Sequence, residues 1–193
     1  MTSNAVGDLS SLSRAVSHAL RHEPWLYELE LDEAGWVPIE DLLGALRTEK
    51  PAWAGMGEAD LVYMIEQSEK KRHELRDGKI RALYGHSVPQ RLSKEAAPPP
   101  AVLYHGTAPA TVALIKEAGL RPMGRQYVHL SADTATAKQV GKRKAGKPVI
   151  LSVRAGEAHR AGVPFYLGND QVWLADMIGP EFIDEELDSV KAR

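Results

Sequence analysis

The sequence predicts an α+β protein made of two modules. Helically spaced apolar residues fill the first half, an Asp-Gly pair separates two strand-like runs at its end, and strand-like and helical runs alternate in the second half. Between the halves lies KEAAPPPA, whose three consecutive prolines disfavour a helix and favour an extended spacer. We therefore expect a first module over 8–93, a linker over 94–100 and a second module over 101–185.

The first module opens with a predicted amphipathic helix. Its apolar residues recur at spacings of three and four: Leu9, Leu12, Val16 and Leu20. Asp8 is a suitable N-cap. Pro24 disfavours helical geometry at the residue before it, so we expect the helix to end near His22.

Two more helices and a hairpin complete the first module. One helix is predicted from Pro38, in PIEDLLGALR, and another over Glu58–Lys70. Asp77-Gly78 favours a two-residue type I′ turn, which places Leu75 opposite Ile80. Three helices followed by a hairpin are typical of a winged helix. That architecture often binds nucleic acid, but the fold alone does not establish this function.

The second module alternates strand-like and helical runs, as α+β domains with short strands do. AVLYH (101–105) and YVHLS (127–131) are predicted strands. Helices are predicted over Pro109–Ala118, ending at Gly119, and over Asp133–Lys142. Three further strand-like runs follow: PVILSVRA, VPFYL and QVWLA.

Composition and charge exclude several classes of protein. The 193 residues contain no cysteine, which excludes disulfides and thiolate metal sites and favours a reducing, cytoplasmic location. No apolar run approaches the roughly 18–20 residues of a membrane span, and the first residues do not resemble a signal peptide. A net charge of −2 argues against a nucleic-acid-binding surface that extends over the whole chain, but it is compatible with a local basic patch.

Arg21 and His22, at the end of the first predicted helix, have two interpretations. Cations at a helix C-terminus complement its dipole, which is worth about 0.3–1 kcal/mol. Alternatively they form a phosphate clamp, since arginine binds phosphate oxygens bidentately and histidine can donate or shuttle a proton. His18 and His22 have a spacing that can hold a metal, but no third ligand is evident and we expect no metal site.

The basic segment GKRKAGKP (Gly141–Pro148) nearly matches a nucleotide-binding phosphate loop. Pro148 stands where the magnesium-binding hydroxyl should be, and the order of elements is helix–loop–strand rather than strand–loop–helix. We therefore expect no nucleoside triphosphate site. The segment is either a solvated loop or a contact for an RNA backbone.

Three clusters combine histidine with small polar residues: YGHS (84–87), YHGT (104–107) and VHLSAD (128–133). Gly106 would let a ligand approach the backbone closely. Ser131 and Asp133 can equally be N-capping residues of the following helix. Together the clusters suggest a pocket for a polar ligand.

The order of these motifs resembles the NAD-dependent RNA (tRNA) 2′-phosphotransferase family of the KptA type. The matching segments are LSRAVSHALRHEP, LDEAGWVPIEDLL, KKRHEL, IRALYGHSVP, LYHGT, MGRQYVHLS and NDQVWL, which span about Leu9 to Ile183. The resemblance implies a winged-helix, RNA-binding lobe joined to an ADP-ribosyltransferase-like, NAD-binding lobe. It also implies removal of an RNA 2′-phosphate with NAD⁺ as co-substrate. The implied intermediate is RNA ADP-ribosylated on its 2′-phosphate, and the products are 2′-hydroxyl RNA, nicotinamide and ADP-ribose 1″,2″-cyclic phosphate.

The resemblance also implies roles for individual residues. Its catalytic tetrad corresponds to Arg21, His22, Arg72 and Arg125, with His22 either protonating the departing RNA 2′-oxygen or orienting the phosphate. Predicted NAD-binding residues lie in three motifs: His105, Gly106, Thr107, His129, Leu130, Ser131 and Asn169. Predicted substrate contacts are Gly85, His86 and Ser87, although the dipeptide Leu83-Tyr84 departs from the family motif.

Two other functions remain open at this point. One is an ADP-ribosyltransferase that modifies terminal phosphates of nucleic acids or another acceptor. The other is a non-catalytic winged-helix regulator that senses NAD⁺. For the transferase we expect a monomer with RNA as partner, without a metal ion or a membrane.

Overall fold

A computed structural model describes residues 8–88, 95–168 and 170–186. Within these ranges it contains six α-helices and two antiparallel sheets, which confirms the α+β class. The chain divides into two compact units, residues 1–91 and 92–193, and each is described here by itself. No helix in the described ranges is both long enough and apolar enough to cross a bilayer.

The first unit combines three helices with a three-stranded sheet. The helices are α1 (Leu9–Arg21), α2 (Ile39–Glu49) and α3 (Glu58–Glu66). The strands are β1 (Val37–Pro38), β2 (His73–Arg76) and β3 (Lys79–Ala82), in the order β1-β3-β2. All three predicted helices are confirmed. However, α3 ends four residues before Lys70, because Ser68 closes its last turn by donating to the carbonyls of Met64 and Ile65.

Helix α1 forms for the reasons that its sequence indicates. The Asp8 carboxylate accepts a hydrogen bond from Ser10 N at 3.0 Å, which confirms the predicted N-cap. His22 is the C-cap. One stripe of the helix is buried against the rest of the unit: Leu12, Val16, Ala19 and Leu20. Each buried leucine contributes about 1.5–3 kcal/mol, so this stripe fixes the direction in which α1 presents its last turn.

The predicted hairpin is also confirmed, in type and in register. Asp77 and Gly78 have φ of +50° and +73°, as a type I′ turn requires. Leu75 lies opposite Ile80, which is fully buried. β3 pairs on its other edge with the two residues of β1, a strand too short to be recognised in the sequence.

The second unit is built on seven strands and three helices. The strands are β4 (Glu95–Ala96), β5 (Leu103–Thr107), β6 (Val128–Ser131), β7 (Val149–Val153), β8 (Phe165–Leu167), β9 (Val172–Ala175) and β10 (Ile183–Glu185). Their order is β10-β7-β5-β6-β9-β8-β4. The helices are α4 (Val112–Ala118), α5 (Thr134–Lys142) and α6 (Ala155–Arg160).

The predicted strands and helices of this unit are present, with three differences. Ala155, expected to end a strand, begins α6, and β10 was not predicted. In the segment expected to be a linker, residues 95–96 form β4, the edge strand that pairs with β8. The core lies around β5, β6, β7 and β9 and includes Leu103, Leu130, Leu151 and Phe165.

Candidate active site

Two of the predicted catalytic arginines meet in the first unit. The Arg21 guanidinium donates to the carbonyl oxygen of Arg72 at 3.3 Å, and Leu83 N donates to the same oxygen at 2.9 Å. Arg21 Cζ also lies 5.1 Å from the centre of the Tyr84 ring, within the range of a cation–π contact. The end of α1, the start of the hairpin and the segment after it therefore converge on one guanidinium group.

The segment 85–88 holds the end of α1. Ser87 N and Val88 N both donate to the carbonyl oxygen of Arg21, at 2.8 and 3.1 Å. The Ser87 hydroxyl lies 2.8 Å from His22 Nδ1. Gly85 has φ of +80°, and a Cβ at that position would lie 3.4 Å from Arg21 Nη1. Residues predicted to contact substrate thus contact the predicted catalytic pair.

The charge of Arg21 is incompletely satisfied by protein groups. Within residues 8–88, 95–168 and 170–186, its buried Nε has no hydrogen-bond partner. A buried unsatisfied donor costs about 1–3 kcal/mol, and more when it is charged. The rest of this half-buried side chain can still reach a ligand, and a guanidinium held in place by the Arg72 carbonyl and the Tyr84 ring suits a phosphate.

His73 is a buried residue of this site that the sequence analysis did not single out. It is 4% exposed, and its Nε2 lies 3.3 Å from the Ser17 hydroxyl. Burial, followed by the positive charges of Arg21 and Arg72, lowers the pKa of His73 to about 4. The motif KKRHEL held the signal: alternation along β2 places His73 on the buried face, directly after Arg72.

The positive charge of Arg21 also acts on His86. Partial burial, then the nearby Arg21 and His22, lowers the pKa of its imidazole. The neutral form is thereby favoured beside a group that is already cationic. Neutral histidines at this place leave the arginines as the principal positive charges of the site.

Both ring nitrogens of His18 are occupied by protein groups. Nε2 lies 2.7 Å from the Glu23 carboxylate, and Nδ1 lies 3.0 Å from the Tyr27 hydroxyl. The His22 ring is close by, with the two ring centres 6.3 Å apart. A metal at this pair would have to displace a partner of His18. In the described ranges, no three acidic or histidine side chains are grouped so that they could hold a metal ion.

Six of the seven predicted NAD-binding residues lie on two neighbouring strands, β5 and β6. β5 pairs along its whole length with β7, but with β6 only where Tyr104 lies opposite Ser131. At this junction His105 Nδ1 donates to the His129 carbonyl at 3.0 Å. His105 Nδ1 therefore carries a hydrogen, and this bond fixes the orientation of the ring.

Hydroxyl groups near this junction are also oriented. The Thr111 hydroxyl donates to the Ala108 carbonyl at 2.8 Å, so the Thr107 hydroxyl, 2.7 Å away, must donate to Thr111. The lone pairs of Thr107 remain as acceptors. Ser131 is a buried residue of β6 and not a cap. Asp133 is the N-cap of α5, because its carboxylate accepts from Thr136 N at 2.7 Å.

Gly106 is required by packing within the unit. A Cβ at this position would overlap the carbonyl oxygen of Ala137 in α5 and would lie 3.0 Å from the Cα of Gly141. Lys144, in the basic segment, donates to the Gly106 carbonyl at 3.4 Å. Close contact between α5 and β5 therefore explains this glycine without a ligand.

The remaining predicted residues are placed differently. The Leu130 side chain belongs to the core, so only its main chain is available to a ligand. Arg125 is half-buried in the loop before β6, where its N donates to the Pro122 carbonyl at 3.1 Å. It belongs to the second unit, and its meeting with Arg21 and Arg72 remains a prediction. Asn169 lies outside the described residues.

Comparison with known proteins identifies the family. A family model described as RNA 2′-phosphotransferase, Tpt1 / KptA family, matches residues 8–177. A probable RNA 2′-phosphotransferase of Acetivibrio thermocellus is 60% identical over 176 residues, which cover 91% of this chain and 96% of the relative. Another, from Bacillus thuringiensis subsp. konkukian, is 58% identical over 174 residues, which cover 90% and 94%. A third, from Streptomyces griseus, is 41% identical over 181 residues, which cover 89% and 94%. The order of motifs and these matches agree, and the chain belongs to the RNA 2′-phosphotransferase family of the Tpt1 / KptA type.

Proposed function

We propose that this protein is an NAD⁺-dependent RNA 2′-phosphotransferase. It would remove an RNA 2′-phosphate and yield 2′-hydroxyl RNA, nicotinamide and ADP-ribose 1″,2″-cyclic phosphate. The observation that carries the proposal is the guanidinium of Arg21, which precedes His22 in the chain and is held by the Arg72 carbonyl and the Tyr84 ring. Such a group in a member of this family suits a phosphate dianion.

The two units would supply different substrates. We propose that the first unit is a winged-helix lobe that binds RNA, because its three helices and three-stranded sheet have that layout. We propose that the second is an ADP-ribosyltransferase-like lobe that binds NAD⁺. The limited pairing of β5 with β6 supports this, since the Thr107 lone pairs can accept a hydrogen bond from a ribose hydroxyl there.

In the first step the RNA 2′-phosphate is the nucleophile. One of its oxygens forms a bond to the ribose carbon that bears nicotinamide, and the bond to nicotinamide breaks. NAD⁺ supplies an activated glycosidic carbon for this step. Arg21, Arg72 and Arg125 would hold the phosphate and remain protonated throughout.

In the second step the 2″-hydroxyl of that ribose forms a bond to phosphorus. The bond from phosphorus to the RNA 2′-oxygen breaks, the 2″-hydroxyl loses its proton, and the 2′-oxygen gains one. The arginines would stabilise the negative charge that develops on the phosphoryl oxygens. His22 is the group of the tetrad that can deliver the proton.

A direct assay tests the proposal. A 2′-phosphorylated oligoribonucleotide, NAD⁺ and the protein are mixed, and loss of the 2′-phosphate is followed together with nicotinamide and cyclic phosphate. Arg72→Ala should lower kcat/KM by about 10²–10³-fold, by analogy with loss of one oxyanion donor. Lys71→Ala removes a neighbouring exposed cation and is the matched control.

Two outcomes would contradict the proposal. Binding of NAD⁺ without any loss of 2′-phosphate from the wild-type mixture would exclude the transferase. A stable ADP-ribosylated RNA without cyclic phosphate would instead identify an ADP-ribosyltransferase that stops after the first step.

A further inference from the structure

The side chain that contacts His22 is a hydroxyl, and it is anchored to the end of α1. Ser87 Oγ lies 2.8 Å from His22 Nδ1. Ser87 N donates at 2.8 Å to the carbonyl of Arg21, the residue before His22. Val88 N donates to the same carbonyl at 3.1 Å. These two main-chain hydrogen bonds to Arg21 therefore hold the Ser87 hydroxyl in place beside His22.

The contact leaves the other nitrogen of the ring available. In the described ranges His22 Nε2 has no protein partner, and the His22 side chain is exposed. Nε2 is thus the nitrogen that can reach a substrate atom. Whether it can both hold and release a proton depends on what Nδ1 contacts.

A hydroxyl can bond Nδ1 in every state of the imidazole. It accepts a hydrogen bond from Nδ1–H in the charged ring and in the neutral ring that has lost the Nε2 proton. It donates to Nδ1 in the other neutral tautomer. A carboxylate, by contrast, can only accept and would favour the charged ring.

We propose that Ser87 is a positioning residue that keeps His22 in one orientation while Nε2 gives up or takes a proton. This inference rests on the proposed function, because it assigns the proton transfer of the second step to a ring held by Ser87. It replaces the expectation that Ser87 contacts the substrate itself.

Other charged and titratable groups near His22 also affect its protonation. Arg21 precedes it in the chain, and the His18 ring, paired with Glu23, lies beside it. His86 is close enough for the charge of His22 to affect its pKa. A change at Ser87 must therefore be measured on His22 directly as well as through activity.

The first test is the kinetics of three variants of the full-length protein. Ser87→Ala should lower kcat roughly two- to twelvefold, the value of one hydrogen bond, with KM for RNA and for NAD⁺ unchanged. Ser87→Thr retains the hydroxyl and should restore kcat. Ser10→Ala is the control, since it removes an exposed hydroxyl at the other end of α1. A raised KM for RNA with normal kcat in Ser87→Ala would show a substrate contact and overturn the proposal.

The second test combines a titration that needs neither substrate with the pH profile of kcat. Nitrogen-15 NMR titration of the His22 ring, assigned by comparison with His22→Gln, reports its tautomers and protonation. Ser87→Asp should raise the pKa of His22 and move the pH profile of kcat to higher pH, because a carboxylate only accepts from Nδ1. An unchanged His22 titration in Ser87→Asp would overturn the inference. Failure of the wild-type protein to transfer phosphate would refute the proposed function separately, since the titration does not depend on it.

Discussion

His73 connects the two site arginines to the stability of the first unit. Its imidazole is buried, and burial together with Arg21 and Arg72 lowers its pKa from 6.5 to about 4. The perturbation that we consider is His73→Gln, which removes the titrating group and keeps a polar side chain near Ser17. It tests whether this histidine is neutral in the folded protein.

The magnitude follows from the linkage between protonation and folding. Between pH 6.5 and 4 the unfolded chain binds a proton at this residue that the folded chain does not. The stability that depends on His73 is therefore complete above pH 6.5 and is lost as the pH falls through this window. A shift of about 2.5 pKa units corresponds to about 3 kcal/mol, of which about 1.4 kcal/mol is lost by pH 5.5.

The assay is urea unfolding of the wild type and of His73→Gln at pH 7, 5.5 and 4. The free energy of unfolding should fall more steeply with pH in the wild type, and the difference between the two proteins should change by about 3 kcal/mol from pH 7 to pH 4. His159→Gln, an exposed histidine of the second unit, is the control. Parallel pH dependences for His73→Gln and the wild type would refute the reasoning, because His73 would then titrate alike in both states.

Three further predictions concern other parts of the site. Gly106→Ala should lower the free energy of unfolding by about 3 kcal/mol in urea titrations, because its Cβ would overlap a helix backbone that cannot rotate away. Gly146→Ala, with open space around it, should change it by less than about 1 kcal/mol. Tyr84→Ala should lower kcat/KM about two- to fivefold by releasing the Arg21 guanidinium, whereas Tyr84→Phe should not. Equal kcat/KM values for the wild type, Tyr84→Ala and Tyr84→Phe would exclude a role of this contact in catalysis. If the basic segment contacts RNA, replacing the exposed Lys142 and Lys147 with glutamine should reduce the salt slope of RNA binding by about 1.4. Arg160→Gln is the control, and an unchanged slope in the double variant would favour a solvated loop.

Local chemistry made part of the fold predictable from the sequence. The cap at Asp8, the turn at Asp77-Gly78 and the stripe of α1 each depend on residues only a few positions apart. β1 and β10 were missed because each is two or three residues long and exists only through a distant partner strand. The linker likewise contains β4 because β8 offers an edge to pair with.

The site shows the same division between local and distant causes. Arg21, His22 and Arg72 came from a resemblance of motifs, and the structure adds the contacts between them. At Gly106 the close approach is made by α5, which the chain reaches about thirty residues later, and a role of this residue in NAD⁺ binding stays a prediction. His73 was passed over because its importance comes from burial and from the field of two arginines. Neither burial nor the charges of residues that are distant in sequence can be read from the spacing of a motif.

The contacts of individual Arg21 atoms distinguish its two interpretations, a cation that complements the helix dipole and a phosphate clamp. Its carbonyl oxygen, one of the groups that a helix C-terminus leaves unsatisfied, accepts from Ser87 N and Val88 N. Main-chain donors thus satisfy this carbonyl of α1 without the guanidinium. The guanidinium instead extends to the Arg72 carbonyl and the Tyr84 ring, and its Nε keeps an unused proton. A cation that only complemented the helix dipole would not need to be held by two other segments of the chain, whereas a cation that positions a phosphate would.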